Sequence, residues 1–454
     1  MPDKLTEDLS GFASALTFDG LGPEPVHAAK QRLIDALGCA VGASDCGPAE
    51  IGRRLAAGES PGLHPGRVLF TGERHSLSTA AFINSAMIRN FDFNDRYPGG
   101  HPSDCLGAHL AHAGAAAVDG KAFLTAMAVS YEIFGRLNDA AQLSRQGWDQ
   151  GYVISIATVA GMCNLLGLDR ETTANAVGIA AASSVALRVT RSGELTPWKN
   201  AATPYAVRNA VFVALLAAEG MAGPPRPFEG RAGLFEKVTG PFEIAPFPGE
   251  GGPALMPRVQ IKYWPIETNG QAAVWAALEL RDKVAPEEVE EIEVFTSAFT
   301  RFEIGSEPEK WDPQTRETAD HSLPYIFARA FVDGALTVAS FDEGPVRDPA
   351  LRPLMAKIKV TVDDTIEAVQ AEKVIMRIAV RAKDGRVLMS EIVNPKGHPD
   401  NPMDDGDVED KFTALAAPKI GAARCRGVLD RWWQADAAPD MAALIGLLDF
   451  EGAG

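Results

Sequence analysis

Apolar positions in the first half of the chain recur at helical spacing. In PEPVHAAKQRLIDALGCAVG, Val26, Ala29, Leu33, Ile34 and Leu37 fall on one face, Pro23 and Pro25 stand at its start, and Gly42 can end it. Alanine-rich runs of the same kind follow at LSTAAFINSAMIRN, LGAHLAHAGAAAV, AFLTAMAVSYEIFGRL, ISIATVAGMCNLLGL and TANAVGIAAASSVAL. Small residues on both faces let helices approach closely, which predicts buried helices of a multilayer bundle rather than surface amphipaths. From about Arg258 the pattern shortens and becomes β-like. VEEIEVFTS sets Val289, Glu291 and Glu293 against Ile292 and Val294, and AKIKVTVDD and VIMRIAVRAKDGRVLMSEIV carry β-branched residues at spacing two. Asp384-Gly385 predicts a hairpin turn between the last two strands. Helices are predicted between them, at NGQAAVWAALELRD and SLPYIFARAFVDG. Helical patterning returns after NPKGHPDNPMDDGDVEDK. The predicted fold is therefore mainly α: a large all-helical domain, residues 1–255, completed by 405–454, with a smaller α+β domain, 256–404, inserted between.

Length and composition narrow the class. A chain of 454 residues, 46% hydrophobic and 23% charged, is neither disordered nor a small disulfide scaffold. Against 43 Lys and Arg stand 60 Asp and Glu, and a net charge of −17 opposes non-specific attraction to nucleic acid or anionic lipid. A few local cations can still govern a pocket for an anion. The five cysteines, Cys39, Cys46, Cys105, Cys163 and Cys425, show no CxxC spacing, so neither a zinc ribbon nor a disulfide framework is expected. MPDKLTEDLSGFASALTF reads as a first helix and not a signal peptide. No run approaches the ~20 apolar residues that a bilayer requires, and a cytoplasmic location is expected.

Familiar motifs are missing. PGEGGPAL has clustered glycines, but no strand leads in and Pro253 follows, so it reads as a linker. GxxxxGK[ST], GxSxG and HExxH do not occur. The densest polar run is FDFNDRYPGGHPSD, with Asp92, Asp95, Arg96, His101 and Asp104 in one Gly/Pro-rich loop between helices. His101 is a candidate acid or base because imidazole titrates near neutrality; the plainer reading is a solvated loop whose aspartates cap helices. Cys105, His109 and His112 align at i, i+4 and i+7, a metal half-site without a second half, and a packed helix face is the stronger expectation. Lys199, in the first turn of a predicted helix, opposes the helix dipole, which favours a role in gripping an anion. Lys262 falls at the proposed domain change, where clefts form. Arg316, Asp320, His321 and Tyr325 form a last polar cluster, equally readable as a helix cap or the edge of an active site.

FDFNDRYPGGHPSD, SYEIFGRLNDA, GWDQG, TPWKNAATPYAVRNA, PFEGRAGLF, IKYWPIETNGQAA and TADHSLPYIFARAFVDG, in this order, resemble the MmgE/PrpD family, which includes 2-methylcitrate dehydratase, cis-aconitate decarboxylase and iminodisuccinate epimerase. The resemblance implies a helical domain with an α+β lid and a homodimer without cofactor or metal. It also implies site residues Asp92, His101, Lys199, Lys262 and Tyr325 as catalytic, with Arg96, Gln150 and Glu267 binding substrate. Two positions depart from the pattern: Gln150 and Glu267 stand where the dehydratases and the decarboxylase resemble each other in having His. Gln cannot transfer a proton, and Glu repels a polycarboxylate, which argues against methylcitrate and cis-aconitate as substrates. The implied function is a hydro-lyase that removes a proton α to a carboxylate of a small hydroxy acid. In this reading both lysines hold the carboxylate, His101 moves the proton, Asp92 orients His101 or the substrate hydroxyl and Tyr325 donates a hydrogen bond. An epimerase or isomerase of a small dicarboxylate by the same proton abstraction is the first alternative, and a non-catalytic member the second.

Overall fold

The computed structural model describes residues 1–450, and their apolar side chains gather into two separate cores. The first core is helical. Asp3 caps Lys4–Ala15, accepting from the Thr6 amide at 3.0 Å, and Pro23–Gly42 begins at the two prolines and buries Val26, Ala29, Leu33, Ile34 and Leu37. Leu77–Arg89, Gly120–Ala141, Gly151–Leu165 and Trp198–Ala218 pack around the same core. Small residues set their spacing: a Cβ on Gly161 would stand 2.0 Å from the Ser130 hydroxyl, so only glycine lets Gly151–Leu165 lie against Gly120–Ala141 this closely. The chain comes back at Asp405–Ile420, whose Phe412 packs over Gly38 of Pro23–Gly42.

The second core lies under a four-stranded mixed sheet, ordered Ile358–Val362, Val289–Thr296, Ile375–Ala382, Val387–Val393. The first pair is parallel and the others antiparallel. Gly385, at φ 88°, makes the expected turn, where the Asp384 carboxylate accepts from the Arg386 amide at 3.0 Å. Gln271–Arg281 and Leu323–Asp333 fill out this core.

Three expectations change. Strict alternation puts Val289 opposite Ile292, yet both are buried, because a register shift between Val289 and Glu291 turns the strand over. The packing divides later than residue 256: Met256, Val259 and Ile261 belong to the helical core, Ile266 opens the second, and Met403 is already back in the first. Finally, Trp198–Ala218 is 21 residues long and contains an 18-residue window with a mean hydropathy of 1.3, apolar enough by length and composition to cross a membrane. Polar residues at 199–200 and 208–209 break the run in the sequence, and in the fold its Val207, Val211 and Ala214 are core residues.

Candidate active site

The loop after Leu77–Arg89 carries the site. Arg89 occupies the last helical turn, where a cation suits the dipole, and Asp92 follows in the left-handed region at φ 50°, a conformation that Asp tolerates better than most residues. That turn aims the Asp92 carboxylate into a group of buried cations. Oδ1 accepts from Arg89 Nη1 at 2.5 Å and Lys262 Nζ at 3.1 Å, and lies 3.3 Å from His101 Nε2. Oδ2 is 3.4 Å from Lys199 Nζ and 3.8 Å from His321 Nε2. Burial alone would raise the Asp92 pKa, but Arg89, Lys199 and Lys262 outweigh it and hold the group well below the usual carboxylate range.

The rest of the loop is tied down from below. Asp95 accepts from the Tyr131 hydroxyl at 2.7 Å and the Ser103 amide at 3.0 Å, and Asn94 bridges Ser103 and Asp104 at 2.8 and 2.9 Å. Burial pushes Asp95 up to about 7 and Asp104 up to about 6. These aspartates are structural pins rather than solvated caps.

His101 is neutral and oriented. Its Nδ1 lies 2.7 Å from the Asp95 carbonyl, which can only accept, so Nδ1 bears the hydrogen and Nε2 holds the basic lone pair. Burial first, then Arg89 and Lys262, depress its pKa well below the ordinary imidazole value. Gln150 does not transfer protons; its Oε1 accepts the His101 amide at 2.7 Å and fixes the base from behind. Gly100 has φ 155°, and a Cβ there would meet that oxygen at 1.8 Å, so Gly100 is required for this contact.

A cavity of about 110 Å³ opens in front of these groups. Five cations line it, Arg89, Arg96, Arg188, Arg191 and Lys262, against four carboxylates, Asp92, Asp149, Glu267 and Glu303, with His101 and His321. Arg191 Nε pairs with Asp149 at 2.6 Å and Arg188 with Glu303. Arg96 and Glu267 have no ion-pair partner within 4.0 Å among the described residues, although each feels the other's charge. Glu267 accepts instead from the Asn269 amide at 2.6 Å and its Nδ2 at 3.0 Å, capping the turn Thr268–Gly270. Lys262 donates to the Asp92 carbonyl at 2.8 Å, and burial lowers its pKa to about 8 against the pull of Asp92.

Of the residues expected at the site, Asp92, Arg96, His101, Gln150, Lys262 and Glu267 line this cavity. Two expectations are corrected. The Lys199 ammonium is fully buried and held by the protein's own anions, Asp320 at 3.0 and 3.1 Å and Asp92, so it positions Asp92 and is not free to hold a substrate. Tyr325 faces the second core, its ring tilted at 56° to that of Phe341 and its hydroxyl donated to the Ser340 carbonyl; that bond leaves it nothing to give a substrate. His109 is a packed histidine, edge-on to Phe123, with burial lowering its pKa to about 3. Asp92, Asp320 and His321 could present ligand atoms within 4.8 Å of one another, but Lys199 already bonds to both carboxylates. Sequence reading missed Arg89, Asp149, Arg188 and Arg191. The signal for the last two was faint: two arginines three apart in RVTRSGEL, a stretch without periodicity.

Two buried cores thus meet at a polar junction that holds an oriented imidazole in a cation-lined pocket. The sequence places the chain among known proteins. Residues 7–246 match the MmgE/PrpD N-terminal domain and residues 264–435 the MmgE/PrpD C-terminal domain, and the chain belongs to this family. It is 31% identical to the 2-methylcitrate dehydratase of Escherichia coli K12 over 74% of this chain and 73% of that one. It is 28% identical to an alkylcitrate dehydratase of a fungus over 85% and 82%. With a cis-aconitate decarboxylase-like protein of Aspergillus oryzae the identity is 24% over 98% of both chains.

Proposed function

We propose that the protein is a hydro-lyase for a small hydroxy-carboxylic acid, working by proton abstraction α to a carboxylate. The observation that carries this reading is His101 Nε2, an imidazole fixed as a neutral base at the wall of a cation-lined cavity. Such a proton is weakly acidic, so the charge that develops on the carboxylate must be stabilised where it forms. Lys262 and Arg96 are placed to do this, and Asp92, 3.3 Å from Nε2, stabilises the imidazolium that results. The hydroxyl on the neighbouring carbon then leaves. Relatives named for methylcitrate and alkylcitrate support the reaction type. The Glu267 carboxylate and the small cavity favour an acid with fewer charges than methylcitrate.

Purified protein incubated with malate, citrate and 2-methylcitrate, followed by proton NMR for the unsaturated product, tests the proposal. Turnover of one acid, unaffected by a chelator, is the expected result. Exchange of the α-proton in heavy water with inversion and no elimination would instead select an epimerase. We also read the protein as a cytoplasmic homodimer with its α+β unit closing over substrate. Trp198, Tyr205 and Phe212, seven apart on one helix and 49%, 47% and 56% exposed, form an apolar stripe suited to a second copy. Tyr205→Glu should give a monomer in sedimentation velocity.

A further inference from the structure

A second imidazole faces the same cavity from the α+β unit. His321 lies between Arg316–Ala319 and Leu323–Asp333, and the cap of the latter helix does not need its ring: Ser322 Oγ accepts the Tyr325 amide at 3.1 Å. The side chain is 8% exposed. Nδ1 lies 2.5 Å from Asp320 Oδ1, and Nε2, facing the cavity, has only Asp92 Oδ2 nearby, at 3.8 Å, too far for a hydrogen bond.

The two imidazoles differ in what stands behind them. The carbonyl of Asp95 backs His101, whereas the carboxylate of Asp320 backs His321. A carboxylate stabilises imidazolium and a carbonyl does so far less, so His321 holds a second proton more firmly. Burial and Lys199 depress the His321 pKa while Asp320 opposes them; the negative charge of a bound polycarboxylate adds to that opposition. The rings sit on the two oxygens of one carboxylate, Asp92, one from each core. Elimination of water needs such a pair, one group to take hydrogen from carbon and one to give hydrogen to oxygen.

We propose that His321, as the imidazolium backed by Asp320, delivers the proton with which the substrate hydroxyl departs as water. This rests on the hydro-lyase reading. In the full step His101 Nε2 takes the α-proton, the C–H electron pair forms the C=C bond, the C–O bond breaks, and the oxygen leaves with the proton from His321 Nε2. One water is lost, and solvent exchange returns the proton on His101 to His321. Asp320 is a positioning residue for this proton.

The test uses whichever of malate, citrate or 2-methylcitrate the wild type dehydrates, in heavy water, with deuterium exchange at the α-carbon and product formation followed together by NMR. His321→Gln should lose elimination by roughly 10²–10⁴-fold while α-exchange persists. His101→Gln should lose both. The same acid with chloride replacing the hydroxyl leaves without a proton, so it should be eliminated by His321→Gln at near wild-type rate, which also shows that the variant is folded. If exchange and elimination fall in parallel in His321→Gln and chloride rescues neither, the assignment is overturned. If the wild type exchanges and eliminates none of the acids, the hydro-lyase reading itself falls, and this assignment with it.

Discussion

The two walls of the cavity are built in opposite ways. On the helical side, His101 and Asp92 belong to a loop of fourteen residues, 91–104, pinned at Asp95, Asp104, Asn94, Gln150 and Tyr131 by buried hydrogen bonds. On the α+β side, Glu267 and His321 stand on short turns, each fixed by one neighbour, Asn269 or Asp320. The ties across the gap include Lys199 to Asp320, Arg188 to Glu303, the Gly193 amide to Glu307 at 3.1 Å, the Leu195 amide to Thr318 at 3.1 Å, the Thr315 hydroxyl to the Leu195 carbonyl at 2.9 Å and Asn200 Nδ2 to Glu317 at 3.4 Å. A base must be held in one geometry to work, so it sits where the backbone is over-determined. Groups that recognise a particular acid can sit on lightly held turns and vary without loosening the base.

This contrast can be attacked residue by residue. The largest effect is expected on the rigid wall, where His101→Gln should lower kcat by roughly 10²–10⁴-fold with an unchanged melting curve. Next comes the central tie. Lys199→Met leaves Asp92 and Asp320 buried without their shared cation and should destabilise the fold by about 3–5 kcal/mol in urea titrations; a loss of activity at full stability would show that Lys199 meets substrate after all. The Lys262 charge gives a pH signature. Since Lys262 must be protonated to hold developing negative charge and its pKa lies at about 8, α-proton exchange, which does not call on the His321 proton, should fall tenfold per pH unit above that value. Lys262→Arg, charged throughout, should remove this limb. His101, needed neutral and held low, should impose no acid limb in the ordinary imidazole range near 6.5. The smallest effect belongs to Glu267, which recognises substrate but moves no proton. Glu267→Gln should leave kcat within a few fold and lower KM for citrate, by about tenfold if one repulsion near 1.4 kcal/mol is relieved; unchanged selectivity would take Glu267 out of recognition.

Periodicity carried the helices and the sheet because it records burial directly, as in Pro23–Gly42. It failed at Val289, since a bulge shifts the faces without leaving a mark in residue type. The polar loop could be read because its chemistry is local: Asp92, Arg96 and His101 lie within ten residues. The sequence points to an anion for Lys199 but not to which one, because Asp320 is 121 positions away and only the fold brings them together. Tyr325 stands beside the site in sequence, but the helix that begins at Leu323 turns it toward the other core. His321 reads from sequence equally as a cap residue or as the edge of an active site; what sets it apart is a nitrogen without a hydrogen bond, which no spacing rule encodes.

Lys411 lies behind all of this, on the returning helix Asp405–Ile420. Its ammonium bonds to the carbonyls of Phe93 at 2.7 Å and Lys262 at 2.8 Å and pairs with Asp35 at 2.6 Å. It thus clasps the backbone next to Asp92 and the backbone of Lys262 at once. During synthesis, therefore, the backbones of residues 93 and 262 cannot be clasped together until residue 411 has been made and Asp405–Ile420 has docked.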